Sequence, residues 1–250
     1  MISHIENAAP ELSILREKPP APARHSFNWL NRLLPLLFFI LGGSSSSAGL
    51  ATQEPPSLKI VALGTSLTSR GGWPEMLEKE LSACLQETVT VKTVALAGST
   101  TDWALGQIDR VTGEKPDIVL VEFYANDAAV NRWMSVSASR SNISAILDGL
   151  HAGAPQARIV VMAMNPISGL RGWMRPFLSS YIDAHREEAE SRGMGFVDFR
   201  PAWNALSDTD RDRAIPDGLH PRPEKAGEVM TPILVRHLAE NGCKPGKTTP

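Results

Sequence analysis

Cysteine is almost missing from this 250-residue chain, which has two, Cys84 and Cys243. That excludes a cysteine-rich metal module or a densely stapled miniprotein, and the spacing of the pair resembles no metal site. A single bridge and two buried thiols both remain open. Nor is charge of one sign in excess. The 25 Lys and Arg nearly balance 27 Asp and Glu, for a net charge of −2. No strong field steers the chain toward nucleic acid or an anionic membrane. No basic run interleaved with aromatics overturns that reading, so nucleic acid is excluded as a partner. Long apolar runs are lacking as well. The run at residues 33–41 is interrupted by Pro35 and falls well short of the roughly 20 residues a spanning helix needs.

What is present is 42% hydrophobic residues, ample for a sizeable core. The first fifty residues differ from the rest. A polar stretch carrying Arg16, Lys18, Arg24 and Arg32 leads into the short apolar run. Gly42, Gly43 and a Ser/Ala/Gly tract to Ala51 follow. A basic flank, an apolar core and small residues in that order make a secretory signal, or a signal anchor if it stays uncleaved. Residues 1–51 are therefore read as the export segment and residues 52–250 as the domain, with cleavage after Ala48 or Ala51. Cutting after Ala51 removes four of the 25 basic and three of the 27 acidic residues, leaving 21 against 24. The expected location is periplasmic or secreted.

From residue 57 onward, short apolar runs alternate with longer amphipathic ones. Strands are predicted over 58–63, 89–97, 117–123, 158–164 and 195–199. Helices are predicted over 74–86, 102–111, 140–151, 174–192 and 223–240. Alternation of this kind predicts a three-layer α/β/α domain around a five-stranded parallel sheet. The strands are near-continuous apolar runs, as expected when both faces are covered. Function in such sheets sits beyond the carboxyl ends of the strands.

Four segments stand at those ends: Gly64-Thr65-Ser66-Leu67, Ala97-Gly98-Ser99-Thr100, Tyr124-Ala125-Asn126-Asp127, and Asp217-Gly218-Leu219-His220 near the C-terminus. Together, in this order, they resemble the four blocks of the SGNH (GDSL-type) hydrolases. The resemblance covers about residues 57–240 and implies a flavodoxin-like SGNH fold. It implies Ser66 as nucleophile, His220 as general base and Asp217 as the carboxylate orienting it. The Ser66 and Gly98 backbone N–H groups and the Asn126 side chain would form an oxyanion hole. Such chemistry requires no metal or cofactor. Two residues depart from the family pattern. Thr65 replaces the usual Asp of the first block, and Tyr124 replaces the usual Gly of the third, which is expected to crowd the site.

Each residue has a plainer reading. Ser66 could cap a helix, Asn126 and Asp127 could close a turn, and Asp217 and His220 could form a surface turn. Their coincidence at one sheet edge favours catalysis. His151, His185 and His237 fall on predicted helices and receive no role. Trp73, Trp103, Trp133, Trp173 and Trp203 each follow a strand, and one or two of them are expected to line the cleft and pack on a sugar ring. The plainer alternative packs them beneath the loops. Trp73, Tyr124 and Asn165 are the tentative substrate contacts. The expected function is an exported serine esterase acting on small acyl esters, with O-acetyl groups on carbohydrate favoured. The alternatives are a lipase, thioesterase or lysophospholipase, a glycan acyltransferase, and a non-catalytic glycan-binding module.

Overall fold

The computed structural model describes residues 57–239, 242 and 243. The predicted export segment lies outside the described residues. In chain order the elements begin with β1 (Ser57–Gly64), α1 (Ser66–Ser69), α2 (Trp73–Leu85) and β2 (Thr88–Ala95). Next come α3 (Thr101–Leu105), α4 (Ile108–Thr112), β3 (Ile118–Val121), α5 (Tyr124–Asp127) and α6 (Val136–Gly153). Then follow β4 (Arg158–Ala163), α7 (Gly169–Trp173), α8 (Leu178–Glu190) and β5 (Gly195–Asp198). The chain ends in α9 (Arg200–Asn204), α10 (Asp208–Ala214) and α11 (Pro223–Leu238).

All neighbouring strands pair in parallel, in the order β2-β1-β3-β4-β5. Alternate strand residues face opposite layers, as the pleat requires. Ile60, Ala62, Ile118, Leu120, Val160 and Met162 pack with Trp73, Leu77 and Leu81 of α2 and Met230, Leu234 and Leu238 of α11. Val61, Leu63, Val119, Val121, Ile159 and Val161 pack on the opposite face with Ile143, Ile146, Leu147 and Leu150 of α6. The predicted three-layer α/β/α architecture is what the chain forms.

Two predicted helices are broken, each for a local reason. The segment expected as one helix over 102–111 is two short helices, α3 and α4, separated at Gly106, a poor helix former. The helix expected from 174 starts at Leu178, after Pro176, because proline disfavours the helical conformation in the residue before it, here Arg175. The two cysteines are joined. Cys84 of α2 is bonded to Cys243 beyond α11, closing a loop of 159 residues across two helices that pack together.

The chain leaves β1 for an edge on one side and β3 on the other. This strand order opens a crevice at the carboxyl ends of β1 and β3.

Candidate active site

Ser66 is the first residue of α1, immediately after β1. Thr65 caps this short helix, its hydroxyl accepting from the Leu67 N–H at 3.3 Å. Beneath the turn lies Glu122, fully buried at the end of β3. Its Oε1 accepts from the Thr65 N–H at 2.5 Å and the Thr68 hydroxyl at 2.8 Å, and the Thr65 hydroxyl lies 3.0 and 3.1 Å from the two carboxyl oxygens. Glycine is required just before the turn. A Cβ on Gly64 would stand 2.4 Å from both Glu122 Oε1 and Thr68 Oγ1. Burial raises the Glu122 pKa and Asp127 adds to it, while bonds from Thr65 and Thr68 oppose the rise, leaving it at about 7.

His220 reaches Ser66 from the loop preceding α11. Its Nε2 lies 2.9 Å from Ser66 Oγ, and its Nδ1 lies 2.7 Å from Asp217 Oδ2. The other Asp217 oxygen accepts from the backbone N–H groups of Leu219 (3.0 Å) and His220 (2.7 Å). Burial works to raise the Asp217 pKa. The backbone and ring of His220 and the Leu219 N–H outweigh it, lowering the value to about 2. An ionised carboxylate only accepts, so in the neutral ring the proton sits on Nδ1 and the Nε2 lone pair faces the Ser66 hydroxyl.

Gly98 and Asn126 line the same cavity as Ser66 and His220. Gly98 has a φ of +79°, a left-handed conformation that only glycine adopts without strain. Asn126 donates one amide hydrogen to Ser99 O at 2.9 Å and keeps the other. Its helix, α5, is held by the next residue. Asp127 is fully buried and accepts from the Thr101 N–H (2.9 Å), the Thr101 hydroxyl (2.8 Å) and the Ser139 hydroxyl (2.7 Å). Ser139 Oγ lies 2.8 Å from Nε2 of the buried His185. His185, assigned no role from sequence, therefore belongs to a network tying α3, α5, α6 and α8 together.

Two cavities flank the Ser66–His220 pair. One of about 310 Å³ is lined by Gly98, Asn126, Met174 and four arginines, Arg70, Arg132, Arg171 and Arg175. The other, about 180 Å³, is mostly apolar, with Leu67, Met164, Pro221, Ala226 and Met230 in its wall.

Residues 43–224 match the GDSL-like lipase/acylhydrolase family. The chain belongs to that family. It is a carboxylic ester hydrolase of the GDSL type. An arylesterase from Vibrio mimicus is 26% identical over 224 residues, 83% of this chain and 99% of the relative. Among solved structures, a lipase/acylhydrolase from Enterococcus faecalis shares the fold at a TM-score of 0.64. It is 23% identical and covers 76% of this chain and 100% of its own. An acetylxylan esterase from Geobacillus stearothermophilus superposes at 0.61, with 17% identity over 72% of this chain and 94% of its own.

Several residues of this GDSL hydrolase sit differently from the sequence expectation. Trp73 does not contact the cleft. It is 0% exposed and donates from Nε1 to Leu67 O at 3.0 Å, bracing α1 from below. Tyr124 does not crowd the site, because its ring is buried in the core on the α2/α11 side of the sheet. Its hydroxyl accepts from the Met164 N–H at 3.0 Å and donates to Asn165 O at 3.3 Å, latching the end of β4. Asn165 borders the apolar cavity, but its amide is bonded to Leu219 O (3.0 Å) and Pro166 O (2.9 Å), tethering the loop that carries His220. Neither cavity is lined by a tryptophan. Trp203 is buried, Trp103 packs against Phe123, and Trp133 and Trp173 stand 93% and 76% exposed. Sequence reasoning missed Glu122 and the four arginines. A buried-strand Glu was the available signal for the first; the arginines come from three separate segments.

Proposed function

We propose that this hydrolase cleaves short acyl esters outside the cytoplasm through Ser66, His220 and Asp217, with O-acetyl groups on carbohydrate as the natural target. The observation carrying this reading is the continuous Ser66–His220–Asp217 hydrogen-bond chain, in a cavity that Gly98 and Asn126 also line. Ser66 Oγ attacks the ester carbonyl as its proton passes to His220 Nε2. Asp217 holds the ring in the required tautomer and stabilises the imidazolium. On this reading the oxyanion is met by the Ser66 and Gly98 N–H groups and the second Asn126 amide hydrogen, donors of the kind that stabilise a tetrahedral intermediate. His220 then protonates the departing alcohol, and a water activated by the same ring releases the acid.

The apolar cavity of about 180 Å³ suits a short acyl chain. The acetylxylan esterase of the same fold agrees with an acetyl group on carbohydrate. Export is supported by the Cys84–Cys243 bridge, since disulfides persist in oxidising compartments. Purified protein should hydrolyse p-nitrophenyl acetate faster than the octanoate, and Ser66→Ala should lose at least about 10³-fold in kcat at unchanged thermal stability. Full activity in Ser66→Ala would remove the serine from the reaction.

A further inference from the structure

The larger cavity is far more basic than the chain around it. Four guanidinium groups line it in a protein of net charge −2. Among the described residues, no carboxylate lies within 4 Å of Arg70, Arg132 or Arg175. Arg171 has only Asp217, at 3.9 Å, and that carboxylate is already bonded to His220.

Arg175 is the decisive member. It is 6% exposed, a depth at which a cation is normally paired. Its Nε donates to Ala125 O at 2.5 Å and its Nη1 to Arg171 O at 2.8 Å, both neutral acceptors. These two bonds fix the guanidinium in the cavity wall without cancelling its charge. Burial lowers its pKa most, and Arg171 pushes it further down by like-charge repulsion; Tyr124 opposes the shift and Arg132 adds to it. Arg132 is pressed against the oxyanion side. Its Nη2 would be 2.9 Å from a Cβ on Gly98. Arg70, Arg132 and Arg171 are exposed, so water screens much of their repulsion. The unfavourable charge is that of the buried Arg175, whose hydrogen bonds run to neutral acceptors.

We propose that the alcohol portion of the substrate carries an anionic group, a carboxylate or a phosphate, which binds the Arg132, Arg171 and Arg175 guanidiniums while the acyl group occupies the apolar cavity. This rests on the esterase reading above and narrows its substrate class. Guanidinium forks match the paired oxygens of either anion. The division also follows the walls of the two cavities: Arg70 borders both, but Arg132, Arg171 and Arg175 line only the basic one, and Leu67, Met164, Ala226 and Met230 line only the apolar one.

The test compares 4-acetoxybenzoate and 4-acetoxyphenyl phosphate with the neutral methyl 4-acetoxybenzoate, each rate divided by its hydroxide-catalysed rate. At least about tenfold higher normalised kcat/KM is expected for one or both anionic esters, given the strength of charge-assisted hydrogen bonds. The carboxylate and phosphate arms show which anion the cavity prefers. Arg132→Gln should shrink that ratio severalfold. Equal normalised rates for all three esters, or a preference only for an ester carrying its carboxylate on the acyl side, such as p-nitrophenyl hemisuccinate, would overturn the proposal. Calorimetric titration of Ser66→Ala with 4-hydroxybenzoate and its methyl ester reads the cavity without turnover. Tighter binding of the anion supports the inference even if the serine's role fails, and equal binding rejects it even if that role holds.

Discussion

The Glu122 carboxyl is sealed beneath Ser66, accepts from the backbone and hydroxyls of the turn, and has no cation within 4 Å among the described residues. Its pKa rises from 4.5 to about 7 because burial disfavours the charged form. The sign of the consequence is fixed by linkage. Between 4.5 and about 7 the unfolded chain releases this proton while the fold retains it, so stability falls as pH rises through that window. One group contributes a slope of up to about 1.4 kcal/mol per pH unit. Glu122→Gln keeps the shape and has no proton to lose. Its melting temperature should therefore fall less than that of the wild type between pH 4.5 and 7, and parallel profiles would show that Glu122 does not titrate there. Residues of this kind mark where reading the sequence stops. The candidates Ser66, Gly98 and Asn126 were legible because each sits in a short motif following a strand, and Asp217 and His220 because they share a short motif just before α11. Trp73 and Tyr124 occupy the same edge, yet their side chains turn inward. That direction depends on the packing of residues distant in sequence, and no local pattern records it.

At the scale of elements, the strands were legible because burial on both faces makes each a compact apolar run. The long helices were legible through their amphipathic period. The short helices α1, α5, α7 and α9 have four or five residues each, too few for any period to show. Of these, α1 begins with Ser66, α5 holds Asn126 and α7 holds Arg171, all lining the basic cavity, so something other than propensity must hold them. For α5 that support is the Asp127 network, reaching α3 through Thr101, α6 through Ser139 and α8 through His185. Ser139→Ala would leave a buried imidazole nitrogen without its partner and Asp127 with one donor fewer. A cost of about 1–3 kcal/mol is expected, read as a shift in the urea midpoint. Because α5 also presents Asn126, the same variant should lose kcat on p-nitrophenyl acetate. An unaltered midpoint would mean that the short helix is held by packing alone.

Over the whole molecule, the N-terminal strands and the C-terminal helix close on one another, since α2 packs against α11 in the layer beneath β1 and β2. The Cys84–Cys243 bond secures that closure at the far end of both helices. A cross-link over 159 residues removes a large share of the freedom of the unfolded chain. By loop-closure entropy its stabilisation is about 5 kcal/mol, and measured losses on removing native bridges run to about 2–5. For a domain of this size, that corresponds to a melting temperature lower by on the order of 10 °C. Neither cysteine lines a cavity beside Ser66, so the bond should matter to persistence and not to turnover. The Cys84→Ser/Cys243→Ser double variant and the dithiothreitol-reduced wild type should melt together, well below the oxidised protein. Both should match its kcat at 25 °C. If the oxidised and reduced proteins melted alike, the packing of α2 on α11 would be sufficient by itself to hold that closure.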